Sequence, residues 1–377
     1  MNSQNRLGTL DGLRGSMSLW VLLGHTCSLT GMHFIPVVRS THYAVDGFMI
    51  LSGFLMAYHY MLRAAKEPWT TPSTWKSFYI RRYFRLSPVY YLLLIPAFFL
   101  RPQYDHWMGT VHNLVDAAQR IPANPPVSWQ NVALHLSYLF GLSPTYHASL
   151  ILPDWSLSLE VQFYLVFPFL MLFILRFGWI AFSLTGAAIW LVATSNALGL
   201  AQQFVQPAPL VLSLMWFVIG MLWASAHLET DAAASRQKVL LACGLSLLSR
   251  DLHDIILVFV FAWVIFAAGP LSFGGTLPYV RRALSNRFSS FLADASYSVY
   301  LLHLLILTPI AYLLCTHTHL GAVPRFIVAA ALTIAIAYGL ARPLEVLENA
   351  GIKLGKQFSG RPARVVNAGA PTPVPSA

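Results

Sequence analysis

The chain has 377 residues, of which 56% are hydrophobic and only 10% charged, against a charged share of about 25% in soluble domains. No single core absorbs that much apolar surface, so a soluble globular enzyme is excluded and a polytopic membrane protein remains, its apolar faces solvated by lipid. The formal charge of +10 is not a nucleic-acid signal, because its distribution follows orientation in the bilayer.

Apolar segments run over roughly 15–31, 44–62, 85–101, 154–175, 178–196, 208–226, 237–250, 254–270, 290–314 and 323–342, which predicts an all-α membrane protein with about ten transmembrane helices. The seventh is the shortest and closes on "SRDLHD". The first fourteen residues are polar and no A-x-A site follows, so no cleaved signal peptide is expected. Cys27, Cys243 and Cys315 sit singly in apolar segments, with neither disulfide nor metal-ligand spacing, and read as small apolar fillers.

The first span opens with "LDGLRGSMSLWVLLGH". On a helix the eleven residues from Arg14 to His25 turn about 20° past three full turns, so the two share one face about 16 Å apart. Arg14 stands at the cytoplasmic entrance, where anchoring alone would also place an arginine. His25 falls near the bilayer midplane, where ionisable side chains are costly and face the bundle interior. A neutral imidazole there can take a proton from an alcohol, while a cation at the cytoplasmic mouth can hold the phosphates of an extended donor such as an acyl-CoA. A core histidine bonded to a backbone carbonyl is the structural alternative.

In the second span, "VDGFMILSGFL" adds Asp46 near the outer end and the Ser52-Gly53 pair, which reads first as close helix packing. Before the third, "KSFYIRRYFRLSP" clusters Arg81, Arg82 and Arg85 on the cytoplasmic side. These arginines suit phosphate binding, and Arg82 and Arg85 share a helix face, but a basic patch facing anionic lipid has the same composition.

Residues 102–153 form the longest non-spanning segment, predicted to lie outside, and their "WQNVALHLSYLFGL" is too short to span but suits an interfacial or re-entrant helix that could roof a pocket. In "PDWSLSLEVQFYLVFP", Asp154, Ser156 and Ser158 read as helix-starting caps. Glu160 then falls one to two turns inside an apolar helix, where a carboxylate needs a partner, an ion pair or a function. In "ASYSVYLLHLL", Ser296, Tyr300 and His303 line one polar stripe of the ninth span, suited to interhelical hydrogen bonds or to substrate. The final "RPARVVNAGAPTPVPSA" is Pro/Ala-rich and expected to be disordered.

With the N-terminus in the cytoplasm, 19 of the 24 Lys and Arg residues fall inside, and Arg39, Arg101, Arg120, Arg250 and Arg325 fall outside. Deleting the seventh or eighth span collapses the split to 12 against 11, with one Arg left in the membrane. The positive-inside rule therefore predicts ten spans with both termini cytoplasmic. No internal repeat is visible, so a transporter built from duplicated halves gains no support.

Taken together, "LDGLRG" with Arg14 and His25, "FMILSGFL", "RRYFRLSP", "WSLSLEVQFYL" and "SYSVYLLH" resemble, in order, the acyltransferase-3 family of integral membrane O-acyltransferases. Two aromatics often precede "SGF" in that family, whereas this chain has Phe48 and Met49, which bears on packing or acceptor fit. The resemblance implies transfer of an acyl group, commonly acetyl, from cytoplasmic acyl-CoA to a hydroxyl of a carbohydrate or other acceptor. It also implies that Arg14 and His25 are the essential pair, that Glu160 is the acidic member of the site, and that Arg82 and Arg85 with Arg14 hold the donor. Asp11, Ser52, Trp155, Tyr300 and His303 are the residues expected to bind substrate.

The expected organisation is a transmembrane domain over 1–345 and a cytoplasmic, largely disordered tail over 346–377, with no appended hydrolase-like domain. Acetyl-CoA is the expected donor, a glycan or glycolipid the expected acceptor, membrane lipid the surroundings, and the bacterial inner membrane the location. No metal and no nucleic acid are expected. His25 would act as general base or as a transient acyl carrier. The rival readings are a proton-coupled transporter using His25, Glu160 and His303 as relay sites, and a ligand-sensing receptor, for which only the helix bundle speaks.

Overall fold

A lipid environment forces each backbone segment to satisfy its own hydrogen bonds. In the computed structural model, which describes residues 3–33, 35–115, 124–266 and 278–360, every regular element is helical. In chain order the α-helices are α1 (Ser3–Thr30), α2 (Pro36–Arg39), α3 (Thr41–Leu62), α4 (Pro72–Phe99), α5 (Arg101–Val115), α6 (Trp129–Leu136), α7 (Trp155–Thr194), α8 (Leu210–Leu228), α9 (Ala232–Ser246), α10 (Leu252–Phe266), α11 (Pro278–Leu284), α12 (Arg287–His317) and α13 (Ala322–Phe358).

Within the described residues each of the ten apolar segments falls on a helix, the fourth and fifth sharing α7. That helix breaks at Gly178, whose φ of 81° and ψ of 174° are open only to glycine. By length and composition five helices can cross a membrane: α3, α7, α8, α12 and α13. A sixth candidate is the pair α4 and α5, bent by 73° at its break. The short helix expected in the external segment is α6, which Ser128 caps by accepting from the Asn131 N–H.

The tail expected to lose order from residue 346 instead continues as helix through Phe358. The reason is docking: Phe358 stacks on Phe84 at 5.5 Å, and Ser77 donates to the Ser359 carbonyl at 2.8 Å. Residues 361–377, with the Pro/Ala-rich stretch, lie outside the described residues.

The chain forms two compact units. The first comprises Met1–Val45, Ser87–Ser158 and Arg281–Asn349, and the second Asp46–Leu86, Leu159–Val280 and Ala350–Ala377.

Within the first unit, α1 and α12 pack parallel. Gly8, Gly12 and Gly15 recur at helical spacing, Gly15 against Leu292 of α12, and Gly8 and Gly12 against Ser285 and Leu284 in the chain just before it. A Cβ at Gly12 would lie 1.9 Å from the Leu284 carbonyl oxygen, and one at Gly15 would lie 2.7 Å from Leu292 Cβ. From this ridge upward the contacts climb together along both helices. Arg14 donates to the Ala293 carbonyl (3.2 Å), Ser18 to the Ser296 carbonyl (3.0 Å), and Cys315 Sγ reaches the Leu29 carbonyl (3.8 Å). Leu22, Leu292, Val299, Ala337 and Tyr338 form the apolar core around them.

Within the second unit, α3 and α8 meet through glycine. A Cβ at Gly53 would sit 2.3 Å from the Phe217 carbonyl oxygen, and one at Gly220 would sit 2.0 Å from that of Ile50. The packing reading of Ser52-Gly53 therefore describes what Gly53 does.

Candidate active site

The parallel contact of α1 with α12 continues past the glycine ridge to two imidazoles. The rings of His25 and His303 lie 5.2 Å apart between centroids, inclined by 45°. His303 is fully buried, whereas His25 is partly exposed although its neighbours Leu22, Thr26 and Cys27 are fully buried. His303 Nδ1 lies 2.7 Å from the Tyr300 carbonyl oxygen. A carbonyl only accepts, so Nδ1 carries the proton and Nε2 presents a lone pair. That Nε2 has no hydrogen-bond partner among the described residues.

At the N-terminal end of the same stripe, Arg14 is held by the Ala293 carbonyl and lies 3.6 Å from Asp11 Oδ1. Asp11 thus stands as a countercharge to the arginine. One turn before His303, the Tyr300 hydroxyl pairs with that of Ser156 at 2.7 Å, and Trp155 opens α7, partly exposed. Ser296 donates to the Ala293 carbonyl of its own helix at 2.7 Å, the same oxygen that accepts from Arg14.

Asp154, Ser156 and Ser158, expected as caps of α7, spend their side chains on other contacts. Asp154 Oδ2 accepts from the Tyr90 hydroxyl at 3.0 Å and lies 3.7 Å from His135 Nε2. Ser156 donates to the Pro153 carbonyl at 3.2 Å, besides pairing with Tyr300. Ser158 donates to the Tyr138 carbonyl at 2.6 Å and accepts from the Gly141 N–H at 3.2 Å. These bonds tie the start of α7 to the external segment.

Sequence reasoning missed Tyr90, His135 and Tyr138. The available signal was a histidine four residues after an asparagine in an apolar run too short to span. Burial pushes the His135 imidazole down to about 4, and its Nδ1 donates to the Asn131 carbonyl at 2.9 Å. The Asp154 oxygen and the His135 Nε2 lone pair then face each other, which is stable only with a proton between them. Asp154→Asn can set its amide N–H groups toward the His135 Nε2 lone pair and the Tyr90 oxygen, the phenol then accepting, so its melting temperature in detergent should stay within a few degrees of wild type. Asp154→Leu orphans the Tyr90 hydroxyl and His135 at about 1–3 kcal/mol each, and should melt clearly lower.

In the second unit, the arginine cluster separates into roles. Arg81 is committed to Glu67 through two bonds of 2.8 and 2.7 Å, so it is a structural tie and no free phosphate ligand. The Arg82 guanidinium lies 5.2 Å from the Tyr164 ring centre and 5.9 Å from those of Tyr60 and Phe78, a cation–π setting. The Tyr164 hydroxyl donates to Glu160, which supplies the partner a carboxylate at that depth needs. Arg85 lies one turn beyond Arg82, partly exposed, and Ser52 adjoins the Gly53 crossing.

Residues 7–342 match the model of a family described as an acyltransferase domain. The chain belongs to the acyltransferase-3 family. "Putative O-acetyltransferase SACOL0978" of Staphylococcus aureus (strain COL) is 23% identical over 335 residues, 79% of this chain and 50% of that protein. "Regulator of hypoxia-inducible factor 1" of Caenorhabditis elegans is 27% identical over 189 residues, 44% of this chain and 34% of its own. "Nose resistant to fluoxetine protein 6", also of Caenorhabditis elegans, is 26% identical over 118 residues, 25% and 14%. The chain thus spans half or less of the length of these relatives, and no solved structure is significantly similar to it.

The family's description as an acyltransferase domain weighs against the transporter and receptor readings. Of the expected site residues, Asp11, Arg14, His25, Trp155, Tyr300 and His303 lie in the first unit. Ser52, Arg82, Arg85 and Glu160 lie in the second. The structure brings His25, Tyr300 and His303 together, with Ser156 as an addition.

Proposed function

We propose that the protein is a multi-pass O-acyltransferase that moves an acetyl group from cytoplasmic acetyl-CoA to a hydroxyl of a glycan or glycolipid, with His25 as general base. The observation that carries this reading is the seating of His25 against His303 on two parallel helices, with Arg14 fixed on the same helix about three turns away. His25 takes the acceptor's O–H proton as the oxygen attacks the thioester carbonyl. The C–S bond then breaks, and the imidazolium returns the proton to the departing CoA thiolate. Arg14 is the cation proposed for the donor's phosphates on the helix that carries His25. A transient acyl-His25 is the alternative route, in which the same base becomes the nucleophile.

The same proposal places ten crossings with both termini in the cytoplasm of a bacterium, in its plasma membrane. The parallel packing of α1 and α12 supports the parity. If both helices cross the membrane, the chain between them must cross an odd number of times, which ten spans satisfy and which a count lacking the seventh or the eighth span does not. The distribution of Lys and Arg supports the orientation.

The test is release of free CoA from acetyl-CoA by the purified protein in lipid, wild type beside Arg14→Ala and His25→Ala. Release by wild type with loss in His25→Ala upholds the reading. Equal release by all three overturns the assignment of His25.

A further inference from the structure

We infer that His303 positions His25: its Nε2 accepts a hydrogen bond from one ring N–H of His25, leaving the opposite His25 nitrogen as the base. The inference rests on the acyl-transfer reading above. The Tyr300 carbonyl fixes His303 in the tautomer with its proton on Nδ1. The opposite lone pair is fully buried and without a partner among the described residues. Buried acceptors are seldom left unmade, so this one marks a place for a donor.

His25 is the ring that can supply it. In the recorded orientation its nitrogens do not meet Nε2, yet the centroids are only 5.2 Å apart. Ring nitrogens lie a little over 1 Å from an imidazole centre, so facing nitrogens at that separation come to about 3 Å, within hydrogen-bond range. The motion required is a turn of His25 about χ2, a broad torsion. The Tyr300 and Ser156 hydroxyls already engage one another at 2.7 Å.

The arrangement reproduces the logic of nucleophile, base and orienting group with a neutral imidazole as orienter. When His25 takes the acceptor's proton, its second N–H already points at the His303 lone pair, which stabilises the imidazolium. The proton leaves again to the CoA thiolate from the nitrogen that received it, so His303 is not itself protonated. A carboxylate in that position would carry a charge at a depth where charge is expensive.

Two variants separate this role from a structural one. His303→Gln puts an amide oxygen near the position of Nε2 and keeps an acceptor for His25. His303→Asn keeps a donor for the Tyr300 carbonyl but has nothing at Nε2. With purified full-length protein in lipid, acetyl-CoA as donor and water as acceptor, His303→Asn should lose about 100-fold in kcat, with the KM for acetyl-CoA within about twofold. His303→Gln should stay within about tenfold of wild type. The reverse order of the two variants, or a raised KM with unchanged kcat, overturns the inference.

A second readout is independent of turnover. In protein carrying nitrogen-labelled histidine, magnetic resonance in lipid should show a proton-mediated correlation between the two imidazoles, lost in His25→Ala and in His303→Asn. Its absence from wild type overturns the pairing whether or not CoA is released. Its presence in a protein that releases no CoA leaves the pairing standing and removes the acyl-transfer reading.

Discussion

Replacing His25 with alanine is expected to lower CoA release from acetyl-CoA by about 10²- to 10⁴-fold, the range for a positioned general base. The loss should fall on kcat, because nothing ties His25 to the donor's phosphates. His303 cannot take over: its Nδ1 proton is committed to the Tyr300 carbonyl and its Nε2 is fully buried. Arg14→Ala should instead raise the KM for acetyl-CoA, since a cation binding ground state and transition state alike contributes uniform affinity. The same enzyme incubated with acetyl-CoA alone separates the two routes. An acetyl group found on His25 by mass spectrometry establishes the two-step path, and a clean His25 during continuing transfer to an acceptor establishes the direct one.

The second large effect belongs to a residue with no chemistry of its own. Gly12→Val would place a Cβ 1.9 Å from the Leu284 carbonyl oxygen and 2.9 Å from Leu284 Cα. These are backbone atoms that cannot swing aside, so α1 must move away from the chain entering α12. The cost should exceed about 3 kcal/mol, at the upper end for overpacking. Activity should fall with it, because the Arg14 and Ser18 bonds and the His25–His303 spacing depend on the same approach. Gly8→Ala is the control: its nearest neighbour would be Ser285 Cβ at 3.5 Å, an ordinary contact. Melting temperature and CoA release should both drop in Gly12→Val and stay near wild type in Gly8→Ala. Equal behaviour of the two variants would refute the glycine ridge as the seat of the site.

Much of this architecture is legible in the residues because lipid leaves so few options. Ten apolar runs had to be helical, and the stripes holding Arg14 with His25 and Tyr300 with His303 follow from helical period alone. What remained hidden was pairing across long sequence distance. Nothing local tells that Arg81 belongs to Glu67, whereas the pairing of Glu160 with the Tyr164 phenol one turn on was within reach of the helical period. Asp154, Ser156 and Ser158 match a cap pattern so well that their real partners, Tyr90, Tyr300 and Tyr138, are invisible without the fold. The helical end of α13 was masked for the same reason, since the residues after 346 look loose until Phe84 is known to receive Phe358.

The parallel pairing of α1 with α12 also sets a schedule for how the protein is made. Ser18 and the Ser296 carbonyl it bonds are 278 residues apart, and so are His25 and His303. At synthesis rates of about 5–20 residues per second, α1 waits roughly 15 to 55 s for its partner to emerge. During that interval its glycine ridge faces lipid or another protein, and no partial chain possesses the imidazole pair. A ribosome that stalls before residue 303 therefore leaves in the membrane a fragment that carries His25 and its glycine ridge but lacks the ring proposed to position it.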